Sequence, residues 1–358
     1  MTMNKIAFIY PWATFGGVER VLINRALAFS RNKKIAVNCI DIIFTHDSGG
    51  LAPLNKVIDD YGLSSLCNAK VTDLSALRDG NYDCVFCIDF EAAIDFCDRN
   101  RIKYYVECHT TYKYGWDYLT RLPISCCGII VPSVLFKSKL ADFLSVNREN
   151  KHKILTVQNF VPWDIVDVTS YKINENIFCG YNLKPILFFS RLDKHKNPLE
   201  ALDAFCKFNQ ERRDEYFMIL CGPLGADIDI FSEISYRGLE GRVIILPEIN
   251  FSKSEKLLFS IHKSRGIFVS CSIGESFGLS AAEAICMGIP VVLSDIDAHK
   301  ELVGDYSDEF TYNLGDSTDL SLKLASVADN YIQAYEKMLL LRNTFSSDKF
   351  MLDWQEIM

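Results

Sequence analysis

The sequence predicts an α/β fold in two domains, on three observations. Short apolar runs with the length and β-branched content of buried strands alternate along the chain with segments of helical periodicity. Such alternation is typical of parallel sheets covered by helices. The 358 residues are enough for two domains of ordinary size. A hydrophobic fraction of 49% indicates a globular protein, and no run reaches the ~18 apolar residues of a membrane-spanning helix.

Five apolar runs in the first half are predicted strands, at 5–10, 36–44, 84–88, 103–108 and 128–132. After the first run comes a turn with Gly16 and Gly17, and a helical pattern then extends from Val18 to about Ser30. The dinucleotide motif G-x-G-x-x-G is absent, so the glycine pair alone predicts little more than a turn. His109 ends the fourth run, at the edge where α/β sheets place ligand groups, although a lone histidine is more often structural.

The roles of an aromatic stretch and of the cysteines have more than one interpretation. A short stretch is crowded with aromatic residues and either binds a sugar, meets a lipid interface or packs on its own domain: Tyr112, Tyr114, Trp116 and Tyr118. Thirteen cysteines are scattered and odd in number. The one C-x2-C pair, Cys84 and Cys87, lies inside a strand-like run with no partner pair, which favours buried free thiols over a metal site.

The second half begins after a polar stretch at 164–181, the predicted linker. Predicted strands follow at 185–190, 218–223, 243–247 and 266–270. Directly after the first of these come Arg191 and Lys196. Two cations at the end of a strand and before a helix can bind a diphosphate, because guanidinium and ammonium groups both donate to phosphate oxygens.

The run at 266–270 leads into a polar turn and a helical pattern at 277–287, with Ser276 as the predicted N-cap. The amides of Phe277, Gly278 and Leu279 would then face a ligand with the positive end of the helix dipole. Glu275 and Glu283 would border the same predicted ligand site at the start of this helix. Carboxylates suit sugar hydroxyls, and amides and cations suit phosphates, so the stretch predicts a nucleotide-sugar site.

With its flanks, the sequence E-S-F-G-L-S-A-A-E from Glu275 to Glu283 resembles the signature of retaining GT-B glycosyltransferases of family 4, which are related to glycogen synthase. The segment 190–197 resembles that family's G-R-L-x-x-x-K-N, with Ser190 in place of glycine. Gly16 and Gly17 resemble its glycine-pair element, and 155–162 resembles its interdomain crossing. After Asp295 the chain departs from the family, since 298–301 reads A-H-K-E where a small pair is common.

The resemblance implies the GT-B architecture, two Rossmann-like domains that face a cleft. The first domain, on the acceptor side, would comprise 1–162, and the nucleotide-sugar-binding domain 163–345. A terminal helix at 346–358, anchored by Trp354, would cross back onto the first domain.

The resemblance also implies the reaction, transfer of a hexosyl group from a UDP- or GDP-sugar to a glycan or lipid-linked glycan with retention of configuration. Glu275 and His109 would be catalytic. The donor would be bound by Gly16, Gly17, Arg191, Lys196, Ser276, Phe277, Gly278, Leu279 and Glu283. We expect no cofactor and no divalent metal. We therefore do not interpret the two D-x-D triplets, at 227–229 and 295–297, as metal sites.

Frequency within that family suggests a role in bacterial surface polysaccharide or lipopolysaccharide synthesis. The sequence also lacks the cleavage pattern of a signal peptide. We therefore expect a cytoplasmic enzyme with peripheral contact at the inner face of the plasma membrane, and no nucleic-acid partner. Two alternatives are a sugar-nucleotide epimerase of the same fold and a non-catalytic nucleotide-sugar-binding protein. Release of free UDP or GDP with an elongated acceptor would exclude both.

Overall fold

The computed structural model describes residues 4–32, 37–146, 152–163, 177–178, 182–212, 215–249 and 251–357. The chain divides into two compact units. The first comprises Met1–Ile165 with Ser347–Met358, and the second comprises Val166–Ser346. Most of the predicted linker at 164–181 lies outside the described residues.

Within its described part, the first unit is built on seven parallel strands in the order β3-β2-β1-β4-β5-β6-β7. Strand β1 is central and pairs in parallel with both β2 and β4. The helices of the first unit pack on the sheet through apolar faces, as the alternating sequence pattern predicts. The strands are β1 Lys5–Ala13, β2 Cys39–Asp47, β3 Cys67–Val71, β4 Cys84–Ile88, β5 Tyr104–Glu107, β6 Ile129–Val131 and β7 Ile154–Thr156. The helices are α1 Gly17–Arg31, α2 Leu51–Asp60, α3 Ser75–Asp79, α4 Glu91–Arg99 and α5 Val134–Ser145.

Strand order in the second unit is β10-β9-β8-β11-β12-β13, again all parallel among the residues described there. The strands are β8 Lys184–Phe189, β9 Tyr216–Cys221, β10 Val243–Leu246, β11 Ile267–Ser270, β12 Val291–Ser294 and β13 Thr311–Tyr312. The helices are α6 Pro198–Glu211, α7 Ile230–Tyr236, α8 Phe251–Lys263, α9 Leu279–Cys286, α10 Asp297–Val303, α11 Ser307–Phe310, α12 Ser317–Asp329 and α13 Tyr331–Leu341. Strands β8 and β11 are neighbours, which brings the loops at their carboxyl ends together.

The terminal helix α14, Ser347–Gln355, belongs to the first unit. Trp354 is fully buried there, with its ring 5.0 Å from that of Phe86 and 5.1 Å from that of Phe29. Aromatic contacts of this kind contribute about 0.5–1.5 kcal/mol beyond the area they bury. Asp353 adds a polar contact by accepting a hydrogen bond from the Gln158 amide at 3.0 Å.

Several local predictions need correction or refinement. Strand β1 extends to Ala13, three residues beyond the predicted run at 5–10, so the turn before α1 is short. The segment at 155–162, likened to the interdomain crossing, begins inside β7 at the edge of the first sheet. In the aromatic stretch Trp116 is buried and donates to the Thr110 carbonyl at 2.8 Å, whereas Tyr114 is 79% exposed and stacks on Tyr112.

The cysteines of the C-x2-C pair are buried within β4, as the free-thiol interpretation predicts. Burial raises the pKa of the Cys84 thiol to about 12, so the thiol stays protonated at neutral pH. None of the described helices is both long and apolar enough to cross a membrane.

Candidate donor site and the histidine of the first unit

Two loops at the carboxyl edge of the second sheet bring the predicted cation and carboxylate into contact. The loop after β8 carries Lys196, and the loop after β11 carries Glu275. The Lys196 Nζ lies 2.5 Å from Glu275 Oε1. Backbone contacts join the same loops, because the Ile273 amide donates to the His195 carbonyl at 2.9 Å and His195 Nε2 lies 2.8 Å from the Gly274 oxygen. Residues far apart in sequence thus form one site.

The Lys196–Glu275 pair is partly open to solvent. The two side chains keep 16% and 18% of their surface exposed. Glu275 Oε1 also accepts a hydrogen bond from the Ser272 hydroxyl at 2.8 Å. Burial alone would raise the pKa of the Glu275 carboxyl, but the charge of Lys196 and these hydrogen bonds lower it below its usual range. The carboxylate is therefore ionised and can accept further hydroxyl hydrogen bonds.

Arg191 lies in the same loop as Lys196 but makes a different ion pair. Its Nη2 is 3.1 Å from Asp193 Oδ2, and the arginine side chain is 58% exposed. Asp193 Oδ1 accepts from the Lys196 amide at 2.9 Å, so this aspartate braces the loop that carries both cations. The structure places Arg191 beside the site without joining it to Glu275.

Helix α9 starts two residues later than predicted, so Ser276 is not its N-cap. The N-cap is Gly278, at φ 88° and ψ 53°, a left-handed conformation that glycine adopts without steric cost. A Cβ at Gly278 would lie 3.1 Å from Leu302 Cδ1. Because the cap has no side chain, none of the described residues provides an acceptor for the amides of Phe277, Gly278 and Leu279. The predicted row of free donors is present beside Glu275.

Glu283 is 5% exposed and lies in the second turn of α9. Glu283 therefore does not lie on a solvated face of the helix. Burial of an ionisable side chain is costly unless it has partners, and Glu283 does make polar contacts in the fold.

His299 is a residue of the site that the sequence did not predict. It lies on α10 and is fully buried. Its Nδ1 is 3.0 Å from the Ser294 carbonyl oxygen, which can only accept, so Nδ1 carries the hydrogen. Nε2 has no hydrogen-bond partner among the described residues and lies 3.7 Å from where a Cβ on Gly278 would stand. Burial lowers the pKa of His299 to about 4, although the charge of Glu275 opposes the shift. A neutral imidazole thus supports the loop of Glu275 from behind.

In the first unit, Gly16 and Gly17 form the start of α1 and are both exposed. Neither has a positive φ angle; Phe15 has one instead, at 63°. Nothing lies within 4 Å of a Cβ built on Gly17. The turn is held by Glu19, which is buried and accepts from the amides of Thr14 at 2.7 Å and Gly16 at 2.9 Å. The glycines therefore leave an open backbone surface, and Glu19 fixes its shape.

His109 follows β5 and is fixed by two carboxylates. Its backbone amide donates to Asp89 Oδ2 at 3.0 Å, and its Nε2 lies 3.0 Å from Glu107 Oε2. Glu107 is fully buried and paired with Arg25, whose Nη1 is 2.7 Å from Oε1. Burial would raise the pKa of Glu107, but Arg25 and His109 lower it to about 2. The sequence did not predict a role for Arg25 or Glu107.

The D-x-D aspartates have local roles in the folded chain. Asp229 caps α7 by accepting from the Ser232 amide at 3.2 Å, and Asp227 accepts from the Lys194 amide at 3.0 Å. Asp295 accepts from the Leu314 amide at 3.1 Å. Each of these contacts is explained by loop and helix structure alone.

The fold defined by these two units is that of the GT-B glycosyltransferases, which confirms the prediction. The chain superposes on Anabaena HepE in complex with UDP and glucose with a TM-score of 0.77 and 14% identity, and covers 99% of both chains. At this identity the likeness shows the fold alone.

Sequence comparison finds relatives of the segment that carries the candidate donor site. Residues 181–339 match the family model of the glycosyl transferases group 1. The O-antigen chain mannosyltransferase B of Escherichia coli is 32% identical over 120 residues, 33% of this chain and 30% of that protein. The GDP-mannose:cellobiosyl-diphosphopolyprenol alpha-mannosyltransferase of Xanthomonas oryzae is 28% identical over 125 residues, 34% of this chain and 31% of that protein. The matched part is thus about a third of the length of these relatives.

Proposed function

We propose that the protein is a retaining glycosyltransferase that moves a hexosyl group from a nucleoside diphosphate sugar to a glycan or lipid-linked glycan. The observation that carries the proposal is the Lys196–Glu275 pair beside the free amides at the start of α9. A cation and amides suit the diphosphate, and an ionised carboxylate beside them suits the sugar hydroxyls.

Charge that develops on the leaving diphosphate is met by Lys196, by Arg191 and by the amides of Phe277, Gly278 and Leu279, with Ser276 in the same loop. Donors fixed before the reaction stabilise such charge at little reorganisation cost. Lys196 exchanges Glu275 for phosphate when the donor binds, which leaves the carboxylate for the sugar. Glu283 holds the ribose hydroxyls.

In the first unit the proposal assigns roles to Gly16, Gly17 and His109. The open backbone at the glycine pair suits close approach of the donor diphosphate and the acceptor. His109 contacts the transferred sugar. We assign no general base of the protein, because retention is explained by a donor phosphate oxygen that takes the acceptor proton. No cofactor or divalent metal is required in this scheme.

A donor screen tests the proposal. Thermal unfolding is measured with UDP, GDP and ADP and with their sugars, and GDP-mannose comes first because both matched relatives are named as mannosyltransferases. A ligand at 100 times its dissociation constant stabilises by about 2.7 kcal/mol. The active donor is then incubated with lipid-linked and free glycans of bacterial surface polysaccharide type, and free nucleoside diphosphate and product anomer are measured.

A matched pair of variants gives the screen its specificity. Lys196→Ala should lose the stabilisation by the nucleotide, whereas Lys207→Ala should keep it, because Lys207 bonds the hydroxyls of Ser317 and Thr318 on the surface of the same unit. Absence of any nucleotide effect, or transfer without release of a nucleoside diphosphate, would overturn the proposed function. Inversion at the anomeric carbon would overturn retention alone.

A further inference from the structure

A buried ion pair stands behind His109. Arg25 Nη1 donates to both carboxylate oxygens of Glu107, at 2.7 Å and 2.9 Å, and neither side chain is more than 2% exposed. The guanidinium is also enclosed by aromatic rings, 5.5 Å from the ring centroid of Phe8 and 5.9 Å from that of Trp354 on α14. The geometry of Arg25 is therefore fixed by the core of the first unit.

Such a pair needs a reason other than stability. Removing two charges from water costs several kcal/mol, and replacing a buried pair by apolar residues is often neutral or stabilising. Aromatic rings pack around the guanidinium, since Phe8 and Trp354 lie within 6 Å of it and both rings contact Phe86. The ion pair provides a charged hydrogen-bond acceptor fixed at the end of β5, and apolar side chains would not.

That acceptor determines which nitrogen of His109 carries hydrogen. Glu107 is ionised and can only accept, so the contact at 3.0 Å requires a hydrogen on His109 Nε2. In the neutral ring Nδ1 then has a lone pair. Nδ1 has no partner among the described residues, and the side chain keeps 9% of its surface exposed. The backbone of His109 is fixed independently by Asp89.

We propose that Arg25 and Glu107 are positioning residues, which hold His109 as the Nε2–H tautomer so that Nδ1 accepts a hydrogen bond from a substrate hydroxyl. The identity of the substrate rests on the proposed function, but the tautomer does not. Arg25 fixes Glu107, Glu107 orients the ring, and α14 completes the enclosure of Arg25. The terminal helix thus contributes to the site through packing.

The test combines NMR with kinetics on the full chain. Long-range ¹⁵N–¹H spectra of ¹⁵N-histidine-labelled protein distinguish the two tautomers, and six histidines make the spectrum tractable. His109→Asn assigns the signal by its loss. We expect wild-type His109 as the Nε2–H form. In Glu107→Gln the carboxamide oxygen stays on Arg25 and its NH₂ faces the ring, so the signal should change to the Nδ1–H form.

In the same variant kcat should fall by ~10²-fold, the lower range for a positioned catalytic side chain, while KM for the donor stays within about twofold. Asp41→Asn is the matched control, because Asp41 is a largely buried carboxylate of the same sheet that pairs with Lys70 at 3.0 Å. It should change neither the His109 signal nor kcat. A wild-type Nδ1–H form, or an unchanged kcat in Glu107→Gln, would overturn the proposal. An inactive wild type with the Nε2–H form would overturn the proposed function and leave the positioning role in place.

Discussion

Each unit contains a cluster built on an ion pair between a carboxylate and a cation, but the two clusters are built for different tasks. In the first unit Arg25 and Glu107 are at most 2% exposed and aromatic rings enclose the cation. In the second unit Lys196 and Glu275 keep 16% and 18% of their surface exposed. An enclosed guanidinium cannot change partner, whereas a lysine on a flexible stem can. The first cluster therefore positions a side chain, and the second exchanges partners with a ligand.

The largest expected effect is on the carboxylate of the exchanging cluster. Glu275→Ala should lower transfer by about 10³-fold or more, since it removes contacts at the reacting sugar, and the fold should survive because the side chain is partly exposed. Steady-state kinetics and circular dichroism measure the two quantities. The matched control is Glu240→Ala, an exposed glutamate that accepts from Ser235. A near-wild-type rate in Glu275→Ala would remove this residue from the catalytic site.

Breaking the positioning cluster should instead destabilise the fold. Arg25→Met leaves the Glu107 carboxylate in the core without its cation and with only the contact to His109, and removal of one partner of a buried ion pair typically costs about 3–5 kcal/mol. Urea denaturation at neutral pH measures the loss. Arg78→Met is the control, because Arg78 and its partner Asp79 are about 60% exposed and such pairs contribute little. Equal effects of the two substitutions would contradict the contrast between the clusters.

Lys196→Ala should weaken nucleoside diphosphate binding by about 1.5–3 kcal/mol, the range for a hydrogen bond to a charged group. Stability without ligand should change much less than in Arg25→Met, since the lysine pair is partly solvated. Isothermal titration calorimetry gives the affinity. If the affinity is unchanged, Lys196 is a surface residue that only pairs with Glu275.

The contrast between the clusters also explains what the sequence could predict. Lys196 and Glu275 stand in loops that directly follow two apolar strands, so their place at the sheet edge follows from the strand pattern. Arg25 and Glu107 are 82 residues apart, one in a helix and one in an apolar strand, and only the packing of α1 on the sheet joins them. Buried pairs across elements leave no local pattern in the sequence.

Some local sequence signals did not agree with the folded structure. Ser276 has the chemistry of an N-cap, but the left-handed conformation of Gly278 determines where α9 begins. Strands β3, β7, β12 and β13 were not predicted. Strands β3, β7 and β13 lie at sheet edges, where the apolar signal is weak, and β12 is only four residues long. His299 stands where the resembling family has a small pair, but its contact with Gly278 depends on how α10 packs against α9.

The last expected effect separates the clusters by the pH dependence of their stability. Folded His299 has a pKa of about 4, below its usual 6.5, so unfolding takes up a proton between these values. Stability of the second unit should therefore fall as the pH drops from 6.5 towards 4, by at most about 1.4 kcal/mol per pH unit from this group. Glu107, with its pKa lowered from 4.5 to about 2, makes the first unit lose stability only below pH 4.5.

His299→Phe tests this, because a similar ring without ionisable nitrogens should flatten the slope between pH 6.5 and 4. Part of the slope should remain, since burial also lowers the pKa of His262 in the same unit. Urea denaturation of both proteins at pH 7.0, 5.5 and 4.5 gives the difference, and the substitution should become relatively less harmful as the pH falls. Parallel curves for the two proteins would mean that His299 is protonated in the fold, and the neutral support behind Glu275 would have to be abandoned.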